Sequence, residues 1–408
     1  MKKVIVGLIG LFTLLPLIIY NSPFGKIDYT PIPADKPAPP LNPYLLDVAS
    51  TFDQNFRSLM AHYHVPGAAV AIVKDDQILW MKGYGKKQAG TDEYVDAYTV
   101  FRLGSLSKGF TGVLSSILAK DSLLDLDAPV HQYIPEFNMY YPQYTEQVKV
   151  RNVLSHTAGF PYHTYTNMIE QGLTMNQLIP LMKKVRPVAK PGEIYSYQNA
   201  AFSLAGEAMQ KATGKTFEDL LQERIFKPLN MQSASASYFN MTSNPNIAKP
   251  HVIGRRGVLE RPITKKYYNA APAGGVNASI SDMANWMTCL LGHRPDVADF
   301  QTLERTFTPQ IHTPLERSIR YEYAGAKSMA YGLGWRVLQT EEDVYVLHGG
   351  FVNGFRNEIS INRDKGVAIC VLTNSASDLS RQAVASFWKL YTSLLPQIMT
   401  FDQQQAKS

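Results

Sequence analysis

The chain has 408 residues, of which 45% are hydrophobic and 18% charged, with a formal net charge of +6; this suits a globular protein that buries a large core. The charge is mild and no Lys/Arg cluster is interleaved with aromatics, so no nucleic-acid partner is expected. Cys289 and Cys370 are the only cysteines, and no His-Glu-x-x-His is present, which excludes a disulfide framework and a cysteine-based zinc site and leaves no metal or cofactor expected.

Lys2 and Lys3 precede an uncharged apolar run from Val4 to Tyr20, the layout of a signal peptide or signal anchor over residues 1–20. No small-x-small cleavage site follows, which favours an uncleaved anchor, and the lysines put the N-terminus in the cytoplasm. The sequence therefore predicts an exported protein, periplasmic or extracytoplasmic, held at the inner membrane by residues 4–20. Residues 21–44 hold seven prolines and read as an extended polyproline spacer.

A folded domain is expected over 45–400, followed by a polar tail at 401–408. Leu45 to His62 is a first helix; Ala68 to Val73 and Ile78 to Met81 form a hairpin around Asp75-Asp76. Gly104 turns the chain into a helix whose Phe110, Val113, Leu114, Ile117 and Leu118 recur at helical spacing. Gly109 and Gly112 weaken that helix but permit close packing. Residues 123–229 are mostly helical, within a helical subdomain of about 123–270. Ser279 to Asp282 fits a capping box opening a helix through Trp286 and Leu290. Val344 to Leu347, Phe355 to Ile361 and Gly366 to Thr373 read as strands, and Ser380 to Leu395 as a last amphipathic helix. The fold class is α/β of the α+β type: an antiparallel sheet built from N- and C-terminal strands, flanked by helices, with a mainly helical subdomain packed on it and the active site in the groove between.

Ser105 and Lys108 form an S-x-x-K tetrad. A serine hydroxyl is a poor nucleophile at neutral pH and needs a neighbour to take its proton. Three residues along a helix return to one face, so the Lys108 amine reaches the Ser105 oxygen, and the helix N-terminus favours an oxyanion there. Alone, such a tetrad is far more often a capped surface helix with a solvated lysine than a catalytic pair. Two later segments accompany it: Tyr197-Gln198-Asn199, a Tyr-x-Asn before an apolar helix, and His348-Gly349-Gly350 at the end of a strand, where an edge could line the groove.

These three ordered motifs resemble those of class C β-lactamases and their relatives among the penicillin-binding DD-peptidases, D-aminopeptidases and esterases. Leu154 to Gly159, Pro272 to Gly275 with Asp282-Met283-Ala284, and Tyr331 to Trp335 agree with that likeness, which spans about Leu45 to Leu395. The resemblance implies a β-lactamase/DD-peptidase-like fold and a serine hydrolase with Ser105 as nucleophile. Lys108 and Tyr197 would relay its proton, with the phenolate of Tyr197 stabilised by Lys108 and by a protonated His348. It implies Asn199, His348, Gly349 and Gly350 as substrate-binding residues, and the backbone N–H groups of Ser105 and Phe351 as the oxyanion hole. Substrates would be D-amino-acid peptides, β-lactams or esters. His156, Tyr331 and Trp335 are expected to be structural. His-Gly-Gly departs from the usual Lys-Thr-Gly: histidine is mostly neutral at pH 7, which weakens carboxylate recognition and efficient β-lactam hydrolysis.

Overall fold

The computed structural model describes residues 42–255 and 257–405. The expected signal segment, nearly all of the proline-rich spacer and the last three residues lie outside them. Among the described residues, no helix is long and apolar enough to cross a membrane.

The first helix, α1 (Pro43–Tyr63), starts where the Asn42 side chain accepts from Tyr44 N–H and proline occupies the first turn; it ends at His64 in the left-handed conformation. The hairpin follows as β1 (Gly67–Lys74) and β2 (Gln77–Gly85). Next come α2 (Ser107–Lys120), α3 (Asn199–Thr213) and α4 (Ile280–Leu290). The chain then returns to the sheet with β3 (Ile311–Thr313), β4 (Ser328–Tyr331), β5 (Arg336–Gln339), β6 (Val344–Val352), β7 (Phe355–Asn362) and β8 (Val367–Thr373), and closes with α5 (Leu379–Gln405). These eight strands join one antiparallel sheet, in the order β2-β1-β8-β7-β6-β5-β4-β3, and two further strand pairs lie apart from it. Pairing of β1 with β8 joins the two ends of the domain, as the sequence predicts.

The alternation of side chains along β1 explains the layers. Ala68, Val70 and Ile72 face a core with Phe52 and Phe56 of α1 and Phe387 and Trp388 of α5. Ala69, Ala71 and Val73 face the opposite core, which holds α2, α3, α4 and the helical region of the chain. Both faces are covered, so β1 and β8 are apolar along almost their whole length. The capping box at Ser279 and Asp282 is present, with each side chain accepting the other's backbone N–H.

Helix α2 runs through the middle of the domain with all of Ser107 to Leu118 buried. A Cβ on Gly109 would stand 2.4 Å from the Trp335 ring, and one on Gly112 only 1.9 Å from the Leu333 carbonyl oxygen. The two glycines let the β4–β5 connection lie directly on the helix.

Two expectations change. Helix α5 does not stop near Leu395 but continues through Pro396 to Gln405, so residues 401–405 are helix rather than a polar tail. Buried Ile398 holds this last stretch, and the Asn42 amide donates to Ile398 O and Asp402 Oδ1. Strands β3, β4 and β5 were not expected. At three or four residues each, they are too short to show a period of two.

Candidate active site

Ser105 lies in a 3-10 turn, Gly104–Leu106, that leads into α2. Gly104 has φ +58°, and a Cβ there would sit 2.8 Å from the Phe351 backbone nitrogen. A Cβ on Gly350 would come 2.1 Å from the Leu103 carbonyl. Glycine at both positions lets the turn and β6 touch backbone to backbone, which places Ser105 beside Phe351. Strand β5 pairs with β6 only over Val344 to Leu347, whereas β7 pairs through Val352. From His348 onward β6 is therefore locally an edge, and the nucleophile turn packs there.

The structure brings the three expected groups together. Tyr197 O–H donates to Ser105 Oγ at 2.8 Å, and Lys108 Nζ lies 3.2 Å from the same oxygen. Lys108 is fully buried. Its amine donates to Asn199 Oδ1 at 2.8 Å and to the Ala273 carbonyl at 2.7 Å. Both are pure acceptors, so they take two N–H bonds in either protonation state. The third direction points at Ser105: an ammonium would donate there, while a neutral amine would accept the Ser105 proton. Burial without a carboxylate partner lowers the Lys108 pKa well below its ordinary value and favours the neutral amine. Burial acts in the opposite sense on Tyr197, raising its pKa despite the bond to Ser105, so the resting phenol keeps its proton. The Lys108 amine is 4.7 Å from the Tyr197 ring centre.

His348 is not where a substrate-binding cation would stand. It is 2% exposed and belongs to a chain of buried polar groups. The Gln198 N–H donates to His156 Nδ1 at 3.1 Å. The His156 proton is then on Nε2, which donates to Tyr331 O at 3.2 Å. Tyr331 O–H donates to His348 Nε2 at 3.0 Å, and His348 Nδ1–H donates to the Gly349 carbonyl at 2.7 Å. Every bond in this chain is satisfied by neutral rings. Burial lowers the His348 pKa to about 3, helped by the positive charge of Arg336, and burial likewise depresses His156. The expectation that a protonated His348 assists Tyr197 is therefore corrected. His348 ties β6 to the Tyr197 loop through Tyr331 and His156, and Tyr331 is more than a packing residue.

Gly349, Gly350 and Phe351 line the Ser105 cleft, of about 490 Å³, together with Tyr197, Asn199 and Tyr267. Phe351 is 60% exposed there. Several of these roles were not foreseen. The Ala273 carbonyl holds Lys108, and the Asn199 amide donates to the Tyr267 hydroxyl oxygen at 3.2 Å. Arg102 is buried and donates to the carbonyls of Thr264 and Lys266, fixing the loop that carries Tyr267. Only the Pro272-Ala273-Gly274-Gly275 run gave a sequence signal for any of this. Among the described residues no cluster of His, Cys, Asp and Glu could hold a metal ion, and both cysteines are buried and free.

A family model described as Beta-lactamase matches residues 52–391. The chain belongs to the beta-lactamase family. Among curated relatives, the chain is 27% identical over 348 residues to the unguisins hydrolase ungD' of Aspergillus campestris, covering 81% of this chain and 63% of that protein. It is 25% identical over 317 residues to Protein flp of Staphylococcus aureus, covering 77% and 61%. The chain thus spans a little over three-fifths of the length of these curated relatives. The octameric penicillin-binding protein homologue from Pyrococcus abyssi superimposes with a TM-score of 0.73 at 23% identity, covering 85% of this chain and 77% of that one, which shows a shared fold.

Proposed function

We propose that this chain is an exported, class C-like serine hydrolase that forms an acyl-enzyme on Ser105. It cleaves amide bonds of D-amino-acid, peptidoglycan-like peptides and is at best a weak β-lactamase. The observation that carries the reading is the convergence of Tyr197 O–H and a buried, desolvated Lys108 amine on one partly exposed serine oxygen.

In this mechanism the neutral Lys108 amine takes the Ser105 proton as Oγ attacks the substrate carbonyl. The backbone N–H groups of Ser105 and Phe351 hold the oxyanion; one such donor is typically worth about 100- to 1,000-fold in rate. Collapse of the tetrahedral species needs a proton on the departing nitrogen. Tyr197 supplies it, and the ammonium formed on Lys108 stabilises the resulting phenolate and returns the proton. Water then attacks the ester on Ser105 by the same route in reverse. Phenolate and ammonium arise together within the cycle, so the resting site never buries a net charge.

The apolar run at residues 4–20 and the proline-rich spacer support an exported enzyme working near the membrane surface. A relative named as a hydrolase of unguisins is consistent with hydrolytic chemistry on this scaffold. A second reading, a carboxylesterase, draws on the neutral His348: the third motif itself then offers no fixed cation to a substrate carboxylate. Incubation of the chain and Ser105→Ala with a labelled penicillin, nitrocefin, p-nitrophenyl butyrate and a D-Ala-D-Ala peptide separates these readings. Intact mass is expected to show an adduct on Ser105 that is absent from Ser105→Ala, with the peptide turned over fastest. Fastest turnover of the butyrate ester moves the assignment to esterase, and an adduct without turnover to a non-catalytic penicillin-binding sensor. Identical behaviour of the two proteins on all four compounds ends the enzyme reading.

A further inference from the structure

The space above Gly349 is occupied by a carboxylate. Glu358 of β7 stands directly opposite Gly349 of β6, and a Cβ on Gly349 would come 2.8 Å from Glu358 Oε2. Gly349 does not have a left-handed backbone, and its missing side chain leaves room for the Glu358 carboxylate to lie over the strand. Threonine, usual at this place in the third motif of class C β-lactamases, would push the carboxylate aside. Glu358 borders both the Ser105 cleft and an adjoining chamber of about 500 Å³ lined also by Tyr162, Tyr195 and Arg336.

The surrounding cations are already committed. Arg336 pairs with Glu316 at 3.1 Å, Arg356 with Asp378 at 2.7 Å, and Arg381 with Glu322 at 3.2 Å. Glu358 receives neither a hydrogen bond nor an ion pair from the described residues. Its oxygens reach solvent, so water holds the carboxylate until a ligand donor takes its place. With His348 neutral and the acid beside it, the third-motif strand shows substrate an anion where the class C pattern shows a cation.

We propose that Glu358 anchors a free primary ammonium group of the substrate, so that this site selects amines where a lysine-bearing site selects carboxylates. The proposal takes Ser105 as the nucleophile, as in the function proposed above. The ammonium can sit on the acyl portion, as in a peptide with a free D-amino terminus, or on the departing amine, as in a diamine side chain. Burial raises the Glu358 pKa to about 7, against the lowering influence of Arg336, Arg356 and Arg381 and with the raising influence of Glu322. An arriving ammonium stabilises the carboxylate form.

The test is equilibrium binding by calorimetry at about pH 8 on the full chain carrying Ser105→Ala, which removes turnover. Three ligands are compared: D-alanine butylamide, N-acetyl-D-alanine 4-aminobutylamide and the neutral N-acetyl-D-alanine butylamide. One charged ligand is expected to bind at least about tenfold more tightly than the neutral one, equivalent to about 1.4 kcal/mol, and its identity tells the acyl side from the leaving side. Adding Glu358→Gln removes that advantage while the neutral ligand binds as before. Gly349→Ala, which crowds the carboxylate, is expected to reduce the advantage too and serves if Glu358→Gln folds poorly. The proposal is overturned if neither charged ligand binds more tightly than the neutral one, or if the advantage survives Glu358→Gln. Turnover of the same amides by the unmodified chain tests the amide-hydrolase reading separately.

Discussion

Tyr197→Phe separates the two possible duties of the phenol. The substitution deletes one 2.8 Å O–H···O bond to Ser105 and keeps the ring, which stays 4.3 Å from the His156 ring and 4.7 Å from the Lys108 amine. Ser105 is partly exposed and finds water instead, so the stability change is expected to stay within about 1 kcal/mol. The effect on rate depends on the leaving group. An amide nitrogen cannot depart without a proton, and losing a positioned acid costs about 100- to 10,000-fold. A nitrophenolate departs as an anion and needs none. With Lys108 as the base, Tyr197→Phe is expected to lower kcat/KM for a D-Ala peptide by about 1,000-fold. Acylation by p-nitrophenyl butyrate, followed by stopped flow, should stay within about tenfold of the parent. Lys108→Met, by contrast, lowers both by about 100-fold or more. It also leaves Asn199 Oδ1 and the Ala273 carbonyl without their donor, at about 1–3 kcal/mol each before relief of the amine's burial is counted. Equal losses on amide and nitrophenyl ester in Tyr197→Phe would refute this assignment and make the phenolate the base.

The buried histidine gives a pH prediction. His348 has a pKa of about 3 in the fold and an ordinary value of 6.5 when unfolded, so below pH 6.5 only the unfolded chain gains its proton and stability falls towards pH 3. At about 1.4 kcal/mol per pH unit, that one residue accounts for about 3 kcal/mol of the loss between pH 6.5 and about 4. His348→Gln, whose amide oxygen can still accept from Tyr331, is expected to flatten the acid limb of a urea-unfolding series by that amount; parallel curves would show that His348 does not titrate this way. Gly112→Ala drives a methyl to 1.9 Å from the Leu333 carbonyl and is expected to cost about 3 kcal/mol or more in denaturant melts. A change below about 0.5 kcal/mol would mean that the β4–β5 connection is not pressed against α2 as described.

Legibility followed the range of the interactions involved. The continuous apolar runs of β1 and β8 and the 3.6-residue run of α2 are local, and the sequence showed them at nearly their true limits. The three motifs were visible because each keeps its residues within a few positions of one another. Strands β3 to β5 were hidden by their brevity, and the end of α5 by a proline that buried Ile398 outweighs. Ala273 and Tyr267 were hidden for another reason: they act on Lys108 and Asn199 from 165 and 68 residues away along the chain.

By itself, the sequence determined which groups are available for chemistry and in what order they come, because a hydroxyl, an amine and a phenol are covalent facts. Only the tertiary structure decided their protonation. Lys108 has the composition of a cation, Tyr197 that of an acid and His348 that of a titrating ring, yet burial pushes all three towards neutral forms. The charge a side chain carries is set by the solvent it loses and the partners it gains. Both are supplied by residues distant in the chain, which only the folded domain brings to the same place.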